Sequence, residues 1–298
     1  MKNKILTGLL LVLIGGWGSL SAQSAGSNYA RQVNTLIGTK GVGLTSGYLY
    51  PGATYPYGMV QFTPSYFSKR SGFVINQLSG GGCEHMGNFP TFPVKGKLKM
   101  SPDNILNYRI NISEEKGHAG YYEAKVQEDI HAKLTVTERT GMASYEYPAD
   151  QQYGTVIIGG GISATPIEQA AIVITAPNKC EGYAEGGNFC GLRTPYKVYF
   201  VAEFDTDALE SGTWKRDELK PNTTFAEGEY SGVYFTFDVD KKKNVQYKIG
   251  VSYVSVENAR ENLKAENTGW DFLQIQNQAE SKWNHYLGKI EVEGTNPD

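Results

Sequence analysis

Val233-Tyr234-Phe235-Thr236-Phe237-Asp238-Val239, followed after Asp240-Lys241-Lys242-Lys243-Asn244 by Val245-Gln246-Tyr247-Lys248-Ile249-Gly250-Val251-Ser252-Tyr253, decides the reading of the fold. Val233, Phe235, Phe237 and Val239 alternate with Tyr234, Thr236 and Asp238, and the second run repeats the pattern. Successive side chains of a strand point to opposite faces, so a period of two predicts two half-buried strands. The connection between them has hairpin length, and its lysine run reads as a solvated turn. Similar strands are read at residues 133–147, 155–158 and 196–204. Strand after strand without an intervening helix excludes a βαβ scheme and predicts an all-β chain folded as a large antiparallel β-sandwich.

The pattern changes at Ser255, which is placed to cap a helix through Ala259, Leu263 and Glu266. After a break at Asn267-Thr268-Gly269, the residues Phe272, Ile275, Ala279, Trp283 and Leu287 recur at helical spacing. They form one apolar stripe, which must bury against the outside of the sandwich or another partner. Residues 23–255 are therefore read as the sandwich and 256–298 as a helical segment after it.

Of the 298 residues, 28 are Lys or Arg and 31 Asp or Glu, so the net charge of −3 gives no global attraction to nucleic acid or an anionic membrane. The 35 Gly and 20 Tyr suit short strands joined by tight turns. At the amino terminus, Lys2 and Lys4 precede an apolar run from Ile5 to Ile14, and small residues lead to Ser21-Ala22. This is the order of a secretory signal occupying residues 1–22, and the run is too short for a transmembrane anchor. Export to a periplasm or beyond the cell is the expectation. In an oxidising compartment, Cys180 and Cys190 bracket a glycine-rich segment able to turn back, which makes a Cys180–Cys190 bridge one reading and two buried thiols the other. Cys83 stands apart. The four histidines, His85, His118, His131 and His285, are scattered and predict no zinc site.

Asn34-Thr35-Leu36-Ile37-Gly38-Thr39 and the block Tyr50-Pro51-Gly52-Ala53-Thr54-Tyr55-Pro56-Tyr57-Gly58, with Leu78-Ser79-Gly80-Gly81-Gly82-Cys83 and Gly187-Asn188-Phe189-Cys190-Gly191, resemble the amino-terminal region of glycoside hydrolase family 92. That family comprises calcium-dependent exo-acting α-mannosidases. Val256-Glu257-Asn258-Ala259-Arg260 and Gly269-Trp270-Asp271-Phe272 resemble its helices joining a supersandwich to an (α/α)6 barrel, a resemblance that makes 256–298 a helical linker. The resemblance implies inverting hydrolysis of terminal α-mannosyl linkages, with the acid, the base and the calcium ligands in a barrel outside these residues. It also implies a mannose-containing glycan as partner and no catalytic residue in this chain. Where family members often carry a histidine before the Leu-Ser-Gly block, this chain has Asn76-Gln77.

Inverting hydrolysis needs two carboxyl groups roughly 6.5–9.5 Å apart across a sugar. Pairs such as Glu114-Glu115 or Glu203 and Asp205 read as solvated faces. The loop 80–89 is the candidate ligand segment, with Gly81, Gly82, Cys83, Glu84, His85 and Asn88 as its substrate-binding residues. Its glycines admit close approach and its polar side chains suit sugar hydroxyls. Read without the resemblance, the loop is first a tight turn in which Glu84 and His85 pair at the surface and only second a ligand segment; the resemblance reverses that order and turns it toward the active-site cleft. Tyr48, Tyr50, Tyr55 and Tyr57 read chiefly as packing residues. A stand-alone exported carbohydrate-binding sandwich without catalysis is the alternative.

Overall fold

The computed structural model describes residues 28–39, 49–65, 72–80, 82–83, 85–102 and 111–291, so the signal sequence read at 1–22 lies outside the described residues. In chain order the strands are β1 (Ala53–Thr54), β2 (Gln61–Pro64), β3 (Phe73–Val74), β4 (Thr91–Lys95), β5 (Ile112–His118) and β6 (Tyr121–Val126). They continue with β7 (Ile130–Val136), β8 (Thr140–Glu146), β9 (Tyr153–Gly159), β10 (Ile167–Ala176), β11 (Lys179–Phe189) and β12 (Leu192–Phe204). The last are β13 (Glu210–Lys215), β14 (Glu218–Pro221), β15 (Phe225–Glu227), β16 (Ser231–Asp238) and β17 (Asn244–Ser252). Helix α1 (Tyr29–Gln32) precedes them, and α2 (Val256–Glu266) and α3 (Phe272–Leu287) follow.

The strands form two sheets, one ordered β1-β2-β3-β4-β9-β16-β13-β14 and the other β15-β10-β11-β12-β17-β8-β7-β6-β5, and every named ladder is antiparallel. Their facing aromatic side chains close one core. Phe73 of the first sheet stacks on Tyr145 of the second at 6.3 Å, and Phe235 and Phe237 meet Phe204 at 4.9 and 5.0 Å. The chain is thus an antiparallel β-sandwich with helices at its carboxyl-terminal end, as its alternation predicts.

Three local expectations are corrected. The runs at 233–239 and 245–253 are strands but not a hairpin: β16 lies between β9 and β13 in one sheet, and β17 between β12 and β8 in the other. With both edges of each strand already paired, the intervening segment crosses between sheets. Its Lys242 pairs with Asp205 at 2.6 Å and its Lys243 donates to Ala149 O at 2.9 Å. The run read at 133–147 is two strands, because Thr137 N bonds Thr140 O at 2.9 Å and turns the chain. That turn is held from α2, whose Glu266 carboxylate accepts from Thr137 Oγ1 at 2.6 Å and from Arg139 N at 2.9 Å.

The third correction concerns the disulfide. Cys83 pairs with Cys190, and Cys180 is a buried free thiol. Residues 181–189 are not a turn but the body of β11, in register with β10 and β12. Ten strand steps separate Cys180 from Cys190 by about 33 Å, far beyond bridging distance. The glycines in that stretch serve packing within the sheet: a Cβ on Gly182 would lie 2.1 Å from Ala171 O.

Both long helices rest on the sandwich. The Ser255 side chain caps α2 by accepting from Asn258 N at 3.1 Å. Helix α2 lies so close to β17 that a Cβ on Gly250 would meet Ala259 O at 2.5 Å. Asp271 caps α3 in the same way, and Ile275 and Ala279 of the apolar stripe are buried. Trp283 Nε1 donates to Thr54 O at 2.7 Å, which ties α3 to the first sheet's edge.

Candidate functional site

The predicted ligand loop joins β3 to β4, where backbone bonds tighten its base. Ile75 N donates to Asn88 O at 3.3 Å, Gln77 Nε2 to His85 O at 3.0 Å, and Ala164 N to Met86 O at 2.8 Å. Met86 and Phe89 both take left-handed backbone angles, with φ near 59° and 53°. For residues with a Cβ this costs on the order of 1 kcal/mol each, so the surrounding bonds must hold the loop in place.

Asn88 is the hub of that support. Its backbone N donates to Asn76 Oδ1 at 2.7 Å, and its Oδ1 accepts from Asn76 Nδ2 at 3.1 Å and from Tyr196 Oη at 2.7 Å. Asn76 Nδ2 also reaches Tyr253 Oη at 3.3 Å. The side chain of Asn88 is fully enclosed at 0% exposure, so it positions the loop and meets no ligand hydroxyl in this conformation. Burial pushes the Tyr196 hydroxyl up to about 12, against the lowering effect of its bonds to Asn88 and Ser163. It therefore remains a neutral donor at any physiological pH.

His85 lies on this base, 8% exposed. Its ring meets Phe189 and Tyr196 edge-on at 5.3 and 5.6 Å, and its Nδ1 is 3.2 Å from Asn188 O. Cys83, two residues before His85, and Cys190, two after Asn188, join the loop to the turn between β11 and β12, with their Cα atoms 5.4 Å apart. The structure thus brings Cys83, His85 and Asn88 together and leaves Gly82 exposed, while Gly81, Glu84 and Tyr48 lie outside the described residues. Tyr50 is buried, Tyr55 packs on the core, and Tyr57 is exposed with its ring edge-on to Tyr286 at 5.2 Å.

Sequence reading missed Asn76, Tyr196 and Tyr253 as members of this cluster. The tyrosines stand 108 and 177 residues from their asparagine partners, and each looks like any other strand tyrosine. Beside the loop, the exposed side chains of Leu49 and Leu78 interrupt the polar surface. The outer side of α3 forms an open groove of about 840 Å³ lined by Tyr55, Leu273, Asn277, Ser281 and His285 among others.

The carboxylates weighed for acid and base roles are engaged elsewhere. Glu114 pairs with Lys125 at 2.8 Å, Glu115 accepts from Tyr122 Oη at 3.0 Å, and Glu203 pairs with Lys179 at 2.9 Å. Asp205 accepts from Gln246 N at 3.0 Å as well as from Lys242. Among the described residues, no group of three or more His, Cys, Asp or Glu side chains is arranged to hold a metal ion.

Residues 32–252 match the family model of the glycosyl hydrolase family 92 N-terminal domain. The chain belongs to glycosyl hydrolase family 92. Residues 258–298 match the model of the family 92 catalytic domain, so the segment read as a linker falls in that domain's match. A protein of Arthroderma benhamiae described as an uncharacterized secreted glycosidase is 26% identical, over 88% of this chain and 38% of its own length. Two solved family 92 enzymes of Bacteroides thetaiotaomicron share the fold. An α-mannosidase is 24% identical with a TM-score of 0.76, over 88% of this chain and 38% of its own. An inverting mannosidase is 25% identical with a TM-score of 0.73, over 89% and 37%. This family 92 chain therefore spans less than two fifths of the length of these relatives. Among its described residues no helix is long and apolar enough to cross a membrane.

Proposed function

We propose that this chain is the amino-terminal part of an exported, inverting exo-α-mannosidase that removes terminal α-mannosyl groups from glycans. In this reading the loop 80–89 forms one wall of the sugar pocket, and the face bearing α3 receives the remainder of the catalytic domain. The observation that carries the reading is the catalytic-domain match at 258–298, which continues from the sandwich through the groove-bearing helix. The solved relatives named as mannosidases supply the substrate class. The Cys83–Cys190 disulfide supports export, since such bonds persist in oxidising compartments.

The chain's own residues contribute binding, not proton transfer. A carbonyl only accepts, so the contact with Asn188 O calls for a proton on His85 Nδ1, and in that tautomer Nε2 is the acceptor for a sugar hydroxyl. The acid and base that inversion needs are assigned to the remainder of the catalytic domain, and the carboxylates weighed here are taken up by structural ion pairs and hydrogen bonds. Any calcium of the whole enzyme is assigned in this proposal to that same remainder.

The test is His85→Ala in the full-length enzyme. The proposal expects kcat/KM on an α-mannoside to fall by about 1–3 kcal/mol, or roughly 5- to 150-fold, with folding little altered. Unchanged kinetics with a lowered melting temperature would make the loop purely structural. Binding of mannosides without any turnover by the full-length protein would favour a carbohydrate-binding sandwich instead.

A further inference from the structure

We infer that the Cys83–Cys190 disulfide is a positioning element of the loop 80–89, setting the His85 imidazole in the orientation in which it meets a ligand. The inference rests on the proposal that this loop faces a mannosyl group.

The two halves of the loop are held unequally. From His85 to Asn88 the chain is anchored by Gln77, Ala164, Asn76 and Tyr196. Ahead of His85, Gly80 and Gly82 are both left-handed, with φ near 75° and 72°. A Cβ on Gly82 would meet nothing within 4 Å, and one on Gly80 only Leu49 Cδ2 at 3.8 Å. At these two described glycines the space beside the backbone is open, and Cys83, between them and His85, is tied across to Cys190.

That bond runs beside the histidine's own contact. Cys83 precedes His85 by two residues and Cys190 follows Asn188 by two, so the disulfide and the bond from His85 Nδ1 to Asn188 O join the same two segments. Phe189, which gives His85 an edge-on ring contact at 5.3 Å, lies between them. With the disulfide cut, the ring keeps one hydrogen bond at 3.2 Å that water is able to replace. His85 Nε2, the nitrogen left to accept from a ligand, has no partner among the described residues and takes its direction wholly from the ring's setting.

The other possibility is a staple alone. A bond between residues 107 apart restricts the unfolded chain and stabilises the fold whatever the histidine does. The roles separate because a staple changes the melting temperature but not the native ring orientation.

The experiment compares the oxidised full-length enzyme with its Cys83→Ser, Cys190→Ser double variant and with wild type reduced by a dithiol. The dithiol supplies two electrons and two protons, breaks the Sγ–Sγ bond to leave two thiols, and closes its own disulfide. All three are read well below the lowest melting temperature. The expected result is a rise in KM for an α-mannoside of about tenfold with kcat changed by less than about twofold, and loss of the sharp nitrogen-15 signal of His85 Nδ1–H. A lowered melting temperature with KM and the His85 signal both unchanged overturns the inference. Should the oxidised enzyme fail to hydrolyse α-mannosides, the proposed function falls, and the His85 signal decides alone: its persistence after reduction overturns the positioning role. If the double variant does not fold, the reduced wild-type enzyme gives both readings.

Discussion

His118 Nε2, at the end of β5, lies 2.8 Å from Glu280 Oε1 on α3, inside the contact between helix and sandwich. The Glu280 side chain is only 6% exposed and also accepts from Arg31 Nε at 3.0 Å and from Gln276 Nε2 at 2.7 Å. Desolvation by itself would raise its pKa, but these donors outweigh it and hold the carboxyl down at about 2. A charged residue thus lies in the docking face beside Ala279, on the edge of the apolar stripe.

Removing that carboxylate takes the acceptor from His118 and Gln276 and from the more exposed Arg31. Glu280→Ala is expected to destabilise the protein by about 2–4 kcal/mol and to loosen α3. Chemical denaturation followed by the fluorescence of Trp283 checks both. A loss below about 0.5 kcal/mol would mean that water replaces the carboxylate freely.

The same group predicts acid sensitivity. Its folded pKa of about 2 lies below the ordinary 4.5, so between those values the unfolded chain binds the proton and the folded chain does not. Stability from Glu280 is fully present above about pH 4.5 and is lost as pH falls toward 2. The contribution is of order 2–3 kcal/mol. Stability measured from pH 5 to 2.5 should fall less steeply in Glu280→Gln than in wild type; parallel curves would refute the assignment.

Thiol chemistry tests the corrected pairing. Burial pushes the Cys180 thiol far up, so it is neutral and shielded. A thiol reagent should find nothing in the native oxidised protein and one thiol, Cys180, after denaturation without reductant. Peptide mapping should recover the 83–190 link.

Asn88 should behave as a support. Asn88→Ala takes the acceptor from Tyr196 Oη and one partner from Asn76 in an enclosed site, and is expected to cost about 2–3 kcal/mol of stability. Tyr196→Phe, which leaves Asn88 still bonded to Asn76, should cost only about 1 kcal/mol. Urea titration of the two variants gives the order, and an equal or reversed effect contradicts the hub.

Residues 23–298 alone should release no mannose from α-mannosides, with or without calcium, because the proton-transfer carboxylates of the proposal lie in the remainder of the catalytic domain. A sensitive mannose assay decides the point, and turnover abolished by chelation would place catalytic groups within this chain.

The sequence by itself determined the class of fold and the two long helices. Alternation at Phe235 and Tyr247, the cap at Ser255 and the stripe through Ile275 and Ala279 are local signals, because side-chain direction repeats every two residues in a strand and about every 3.6 in a helix. Four separated blocks also made the family legible, as the match over residues 32–252 shows. Only the tertiary structure decided that β16 and β17 belong to different sheets, since a polar connection of five residues serves a hairpin and a crossing equally well. It also decided that Cys190 meets Cys83 and not Cys180. Glycine between two cysteines signals a turn only when no neighbouring strand needs its backbone nearby, and at Gly182 the adjacent Ala171 carbonyl does. The cluster of Asn76, Asn88, Tyr196 and Tyr253, like the buried Glu280, joins residues more than a hundred positions apart or from different elements. Such partners are chosen by how the sheets and helices pack, and packing leaves no periodic trace in the chain.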